Sequence, residues 1–474
     1  MATPTSNSVD VISVSASAFP ELIYGTKWGG ALGTGVTLSF SFLGNTAWHS
    51  VDYGDEPDSY YVLTNAEKTA IRGALDAWSA FINVSFTETQ DNESVVGELR
   101  FAATDNTGAG SAAHAYLPSD HPSSGDVWFS ASDWNWDGGG ITPGDFDYLT
   151  IMHEIGHALG LKHSFEGAAL GPAEDNFFYT IMSYTASPWS SFQDNSATFY
   201  PTTPMYYDIY AMQVLYGRRG NHNSGNTTYT FNDGQTYFQT IDDVSGTDTI
   251  RFVGSQACEI YLTIGSFSAL SESISFGWNG SGYSYTSRTT VAIGPNSVIE
   301  NAIGGEGADK ITGNDVANRL EGRGGADVIN GGIGNDTMLG GDGADRLSGG
   351  NGVDTLNGGA GKDTLTGGAG ADKFVLNAAP SNATADVIKD FIHNSDKIQL
   401  ENSVFTALGT ATGALAEAKF WKGSAAHDAN DRIIYHSQTG NLYYDSNGAV
   451  AGGSVLIAKL DTGLNLTASD FQVI

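Results

Sequence analysis

The sequence predicts an α+β domain followed by an all-β parallel β-roll and a β-sandwich-like C-terminal domain. Three observations predict it. Residues 147–159 combine helical periodicity with two histidines four apart, His153 and His157. Residues 304–375 repeat with a period of nine. Residues 376–474 return to the alternation of paired strands, as in Arg432-Ile433-Ile434-Tyr435 and Asn441-Leu442-Tyr443-Tyr444.

Along the chain, residues 1–20 are small and polar and read as a flexible leader. Residues 21–217 have the texture of the α+β domain. Val36-Thr37-Leu38-Ser39-Phe40-Ser41-Phe42 alternates with period two and reads as a strand, and shorter strands are expected at 84–87, 99–102 and 127–129. Thr64-Asn65-Ala66-Glu67 is a capping box that opens a helix with the apolar stripe Ile71, Leu75, Trp78 and Phe81 or Ile82. A second helix, 147–159, is expected to bury Leu149, Met152, Ile155 and Leu159, with Gly160 at its C-terminal cap. A third is expected at 207–216. Residues 218–303, rich in Thr, Ser and Gly, read as a β linker region. The β-roll covers 304–375 and the C-terminal β domain 376–474.

The 474 residues carry 21 Lys and Arg against 53 Asp and Glu, a net charge of −32. That charge excludes nucleic-acid binding, which needs a basic face, and argues against an anionic membrane surface. Glycine is 61 residues, and a Gly-rich, acid-rich chain points instead to hard cations held by oxygen ligands in tight loops. The single cysteine, Cys258, excludes an intrachain disulfide. The N-terminus has no basic start and no apolar run, so no N-terminal signal peptide is expected. No apolar stretch of about 20 residues is present, so no membrane insertion is expected.

The strongest chemical signal is His153-Glu154-Ile155-Gly156-His157-Ala158-Leu159-Gly160-Leu161-Lys162-His163. His153 and His157 share one helix face and can reach one metal. Gly160 lets the chain turn sharply and bring His163 back as a third ligand. Three nitrogen ligands with an open position is the catalytic arrangement of zinc. Glu154 is placed to take a proton from water on that metal. Chance occurrence of this spacing is on the order of 10⁻⁵ per chain of this composition. Thr180-Ile181-Met182-Ser183-Tyr184 follows within about twenty residues of His163.

The repeat units from Gly304 read GGEGADKIT, GNDVANRLE, GRGGADVIN, GGIGNDTML, GGDGADRLS, GGNGVDTLN, GGAGKDTLT and GGAGADKFV. Position six is Asp in every unit but the second, which has Asn318; position eight is always apolar. Six residues of Gly-rich turn aim carbonyls inward, Asp adds a carboxylate, and three residues of strand place the apolar side chain in a thin core. Two units make one coil, with calcium between a unit and the next but one. The expected calcium-binding residues are Gly304, Gly305, Gly307 and Asp309; Gly322, Gly324 and Asp327; Gly331, Gly332, Gly334 and Asp336; and Gly340, Gly341, Gly343 and Asp345. They continue with Gly349, Gly350, Gly352 and Asp354; Gly358, Gly359, Gly361 and Asp363; and Gly367, Gly368, Gly370 and Asp372. The second unit departs from the pattern at Asn314, Val316 and Asn318, and its site is expected to be weak or absent.

The extended histidine motif followed by Met-Ser-Tyr resembles the metzincin endopeptidases, and among them the serralysins; the repeat resembles the calcium-binding nonapeptides of repeats-in-toxin proteins. Tyr24-Gly25-Thr26-Lys27-Trp28, Tyr207-Asp208-Ile209-Tyr210, Val298-Ile299-Glu300-Asn301-Ala302 and Asp431-Arg432-Ile433-Ile434-Tyr435 are also similar to serralysin segments. The resemblance implies a zincin-type catalytic domain and a secreted, zinc-dependent endopeptidase acting on protein or peptide substrates. It implies one catalytic zinc held by His153, His157 and His163, with Tyr184 as a movable fourth ligand that swings to the oxyanion. Met182 would form the base of that site. Several structural calcium ions would occupy the roll. The substrate edge strand would be Ala113-His114-Ala115-Tyr116. Residues 1 to about 18 would be a short pro-segment. Export by a type I secretion machinery of a Gram-negative bacterium is implied, with Asp470 to Ile474 similar to its C-terminal signal, as is a small proteinaceous protease inhibitor as a partner. The expected state is a monomer. An adhesive protein with a vestigial zinc domain, or a zinc hydrolase acting on other bonds, are the alternatives; intact Glu154 and histidines oppose the first, Met182 and Tyr184 the second. His49, His121, His222, His393, His427 and His436 are assigned to surface or packing roles, and the loop at 134–140 is left without a role.

Overall fold

A computed structural model describes residues 11–13, 19, 21–44, 60–92, 95–105, 107, 111–132, 140–450 and 452–474. His49, nearly all of the loop at 134–140 and most of the leader lie outside them. Within the leader, Val11–Ser13 pairs antiparallel with Thr26–Trp28. The chain divides into two compact units. The first runs through Ser224 and takes back Thr236–Val244 and Ser271–Ser297; the second comprises Gly225–Gln235, Ser245–Leu270 and Val298–Ile474. Residues 218–303 therefore form no region of their own: their apolar strands are divided between the two units.

The first unit contains a twisted sheet and three α-helices among the described residues. Its strands are β1 (Val36–Phe42), β2 (Tyr60–Tyr61), β3 (Val84–Glu88), β4 (Leu99–Thr104), β5 (Ala113–Ala115) and β6 (Val127–Ser130). The spatial order is β3-β1-β4-β6-β5, with β2 antiparallel on β4. The pairs β1–β3, β1–β4 and β4–β6 are parallel, and β5 runs antiparallel along β6 at the end of the sheet. Helix α1 (Asn65–Phe81) starts at the expected capping box: Thr64 Oγ1 accepts from the Glu67 amide, and Glu67 accepts from the Thr64 amide. Its buried face contains Ile71, Leu75, Trp78 and Phe81, the stripe read from the sequence.

Helix α2 (Phe146–Ala158) differs from its expected amphipathic form. Every residue from Tyr148 to Ala158 is buried, histidines and glutamate included. A helix enclosed on all sides needs no polar face. Trp78 of α1 ties the two helices by donating its indole N–H to the Met152 carbonyl at 3.0 Å. Helix α3 (Tyr206–Tyr216) ends at Gly217.

The second unit is built on two parallel sheets. One contains Lys310–Thr312, Val328–Ile333, Arg346–Asn351 and Thr364–Ala369; the other contains Arg319–Gly324, Thr337–Asp342, Thr355–Ala360 and Lys373–Leu376. Register places each strand over the strand two units on: Ile311, Ile329, Leu347 and Leu365 align in one sheet, Leu320, Met338, Leu356 and Phe374 in the other. These side chains are 0–2% exposed and form the core. The full strands are six residues long, not three, because the first three residues of each next unit, usually Gly-Gly, remain extended and pair as well. Asp386–Lys389 and Lys397–Leu400 continue the two sheets, and Phe471–Val473 pairs parallel with Lys397–Leu400. Ile433–His436, Asn441–Asp445 and Ser454–Lys459 form an antiparallel meander beside them. Cys258 is buried here, its amide donating to Asp309 Oδ1 at 2.7 Å, and burial pushes its thiol pKa up, which keeps it unreactive.

The carboxylate rows of the roll are built regularly. From Asp327 to Asp372, one oxygen of each Asp accepts an amide N–H from the residue eighteen positions earlier, as Asp345 Oδ1 does from Asp327 at 2.8 Å. The other oxygen of Asp327, Asp336, Asp345, Asp354 and Asp363 is buried with no protein partner. Such oxygens sit beside glycine carbonyls: a Cβ added at Gly340 would meet Asp345 Oδ2 at 2.3 Å and the Gly358 carbonyl at 2.5 Å. A paired carboxylate and carbonyl around space too small for a side chain suit a hard cation. In the second unit the amide of Asn318 takes the place of that cation, donating from Nδ2 to the Glu300 carbonyl at 3.0 Å and to Asn314 Oδ1 at 2.9 Å.

Burial raises the pKa of Asp327 to about 7 and those of Asp336 and Asp345 to about 6. The cation-free folded roll thus keeps protons that the unfolded chain releases near pH 4. Its stability is full below pH 4 and is lost as pH rises through 6 to 7. Thermal melts of the second unit's transition in EGTA should fall across that window. In millimolar calcium the trend should reverse, because the cation binds the deprotonated carboxylates.

Candidate metal centre

Helix α2 holds His153, Glu154 and His157 on one face. It ends in a paired hydrogen-bond reversal: the Gly160 amide donates to the His157 carbonyl at 2.9 Å and the Leu161 amide to the Gly156 carbonyl at 3.0 Å. Gly160 has φ +110°, and a Cβ there would lie 2.5 Å from the Thr26 carbonyl, so both backbone and packing require glycine. This turn carries His163 back to α2. One ring nitrogen from each of His153, His157 and His163 lies within 4.8 Å of the others, and His157 Nε2 is 3.1 Å from His163 Nε2.

The outer nitrogens fix the tautomers. His153 Nδ1 faces the Ile181 carbonyl at 2.7 Å, His157 Nδ1 the Leu161 carbonyl at 2.9 Å, and His163 Nδ1 the Glu166 carboxylate at 2.7 Å. Carbonyl and carboxylate oxygens only accept here, so each Nδ1 carries the hydrogen and each Nε2 presents a lone pair inward. His153 Nε2 and Glu154 Oε2 are buried with no protein partner. Two lone pairs facing each other at 3.1 Å repel unless a cation lies among them. Burial pushes His157 down to about 4 and His153 well below its ordinary value, keeping both rings in the neutral, ligating form. It pushes Glu154 up to about 8. The residues fit a zinc ion with three nitrogen ligands and an open side.

The Met-containing turn lies against this group. Met182 is fully buried, and its Sδ packs so closely on α2 that a Cβ at Gly156 would be 2.7 Å away. Tyr184 Oη donates to His163 Nε2 at 2.8 Å. Asp208 of α3 holds the turn in place; nothing in the sequence singled out this role. Its carboxylate accepts from Thr180 Oγ1 at 2.5 Å, from the Ile181 amide at 2.8 Å and from the Met205 amide at 2.9 Å. Ile181 in turn orients His153. Glu166 was missed as well, although its position three residues after His163 is the spacing at which a turn brings side chains together.

A cavity of about 590 Å³ opens beside Glu154 and His153, with Phe146, Leu149, Phe177 and Ile181 as its apolar walls and Ala113 at its border. Strand β5 is the terminal strand of the sheet; of the expected edge segment Ala113-His114-Ala115-Tyr116, Ala113 lines the cavity and Tyr116 follows just past the strand end. A second group, His427, Asp428 and Asp431, gathers on the surface of the second unit. There Asp431 already accepts from the amides of His427 and Asp428.

Comparison with known proteins is consistent with this geometry. The matrixin family matches residues 48–173, and the RTX calcium-binding nonapeptide repeat matches 303–338 and 339–374. The chain carries a matrixin domain and RTX calcium-binding repeats. It is 31% identical over 342 residues to serralysin of Photorhabdus laumondii, covering 65% of this chain and 66% of that protein. It is 33% identical over 293 residues to serralysin of Proteus mirabilis, covering 54% and 55%. With serralysin G of Dickeya chrysanthemi it shares 31% over 317 residues, covering 60% and 62%. The chain thus spans between 55% and 66% of the length of these relatives. The matrixin match takes in all three histidines and implies zinc; the repeats imply calcium.

Removing the Asp208 carboxylate leaves two buried backbone amides without an acceptor. Asp208→Ala should lower the unfolding free energy of the matrixin domain by about 2–3 kcal/mol, measured as a shift in denaturant midpoint. Asp208→Asn, which keeps one acceptor oxygen, should lose less.

Proposed function

We propose that the chain is a secreted zinc-dependent endopeptidase that hydrolyses peptide bonds in protein substrates. One observation carries this reading: a buried carboxylate oxygen, Glu154 Oε2, lacks any protein partner beside three converged imidazoles, on a cavity bordered by the end strand of a sheet. His153, His157 and His163 would hold one zinc. When bound, zinc supplies Lewis acidity, lowering the pKa of water and polarising a carbonyl.

The protein's own groups supply the rest. The substrate main chain adds to β5 along Ala113-His114-Ala115-Tyr116, antiparallel or parallel, as strands add to sheet edges. A large apolar side chain next to the scissile bond enters the cavity between Leu149, Phe177 and Ile181. Glu154 takes the proton of the attacking water at Oε2 and returns it to the departing amine nitrogen. Tyr184, whose hydroxyl is 2.8 Å from His163 Nε2, turns to donate to the developing oxyanion. Burial holds its pKa up at about 12, so it remains a donor at neutral pH.

The carboxylate row of the roll gives calcium a role in delivery. In low calcium the row opposes folding and the chain stays open for a type I secretion machinery; millimolar calcium outside folds it by mass action. Several calcium ions, a monomeric state and a small proteinaceous inhibitor that fills the cavity belong to the same reading.

Glu154→Gln is the deciding variant. It should retain zinc and lose casein cleavage by about 10²–10⁴-fold, and 1,10-phenanthroline should abolish the wild-type activity. Near-normal cleavage by zinc-loaded Glu154→Gln would overturn the assignment.

A further inference from the structure

The three imidazoles are not anchored alike. His153 and His157 donate Nδ1–H to backbone carbonyls, those of Ile181 and Leu161, and both side chains are buried. His163 is the more exposed of the three, with 20% of its side chain accessible, and its Nδ1 partner is a side chain, the Glu166 carboxylate at 2.7 Å.

We infer that Glu166 is a positioning residue for the metal: through His163 it sets the tautomer and direction of the third ligand and strengthens its hold on zinc. This rests on the zinc reading above and extends it to a residue outside the ligand set. A carboxylate behind an imidazole raises the basicity of its far nitrogen, which a backbone carbonyl does more weakly. It also fixes the ring against rotation. Here the far nitrogen, Nε2, faces both His157 Nε2 at 3.1 Å and Tyr184 Oη at 2.8 Å, so the direction of this ring decides whether the ligand set converges. Phe165 lies flat on the other side of the ring, centroids 5.0 Å apart and planes within 7°, and restrains tilt but not spin about the ring plane. The Glu166 carboxylate at Nδ1 supplies that restraint and keeps it when Tyr184 turns away from Nε2.

The loop does not need Glu166 for its own shape. Lys162 Nζ donates to the carbonyls of Glu166 and Ala168, the latter at 3.0 Å, and the Leu170 amide donates to the Ser164 carbonyl at 2.8 Å. Ser164 Oγ donates to Asp175 Oδ1 at 2.5 Å. The Glu166 side chain is half exposed, so its removal leaves no cavity in the core.

The test is zinc affinity of the full chain in millimolar calcium, by competition with a chromophoric chelator, together with the melting temperature of the zinc-free protein. Glu166→Ala should bind zinc about 10–100-fold more weakly at unchanged zinc-free melting temperature, and Glu166→Gln, which keeps an acceptor but not the charge, should fall between. Cobalt-substituted Glu166→Ala should show altered visible ligand-field bands. Zinc affinity of Glu166→Ala within about threefold of wild type would overturn the inference. So would a loss that tracks a lower zinc-free melting temperature and is absent in Glu166→Gln. Because the readout is binding, tight wild-type zinc binding without proteolysis would reject the endopeptidase reading and leave this inference standing.

Discussion

Three imidazoles whose ring nitrogens lie within 4.8 Å of one another, two of them at 3.1 Å, form an arrangement no unfolded chain would keep. Their lone pairs repel, and His153 Nε2 and Glu154 Oε2 are both buried with no protein partner. The rest of the first unit serves to hold that arrangement. The backbone reversal at Gly160 brings the third ring back. The carbonyl of Leu161, freed by the same reversal, fixes the second. Ile181 fixes the first and is itself fixed by Asp208 across the base of α3.

The second unit meets the same constraint in another chemistry. It gathers carboxylates along the two edges of a thin roll and leaves one oxygen of Asp327, Asp336, Asp345, Asp354 and Asp363 without a protein partner. The apolar rows from Ile311 to Leu365 and from Leu320 to Phe374 are one side chain deep per coil, a small hydrophobic contribution against that electrostatic cost. A divalent cation would remove the cost, and Asn318 shows an alternative, an amide that donates to the Glu300 carbonyl and to Asn314 Oδ1 where other units carry a carboxylate. In both units the fold leaves buried polar atoms without a protein partner, positions that a metal would complete.

Much of this was legible in the residues because the signals are local. The capping box at Thr64, the i,i+4 histidines, the glycine reversal and the nine-residue period each depend on groups within one or two turns of backbone, and each appears where its spacing places it. Other features were not legible. The short strand expected in each repeat is twice as long, because extended Gly-Gly segments pair only when a neighbouring coil is present to receive them. The apolar stripe of α2 widened to the whole helix, because elements distant in sequence close over its polar face. Residues 218–303 look uniform by composition, yet their strands go to different units.

The sequence by itself determined the chemistry: which side chains can ligate, at what spacing, and which loops can hold a cation, since these follow from covalent order and backbone geometry. Only the tertiary structure decided the partners behind the ligands. Whether an imidazole is backed by the carbonyl of Ile181, the carbonyl of Leu161 or the carboxylate of Glu166 depends on which distant or turning segments pack against α2. So does the choice of Asp208 as the anchor of the Met182 turn. Buried hydrogen bonds of that kind are selected by what remains unsatisfied once the hydrophobic surfaces have closed, and that competition is settled over the whole fold.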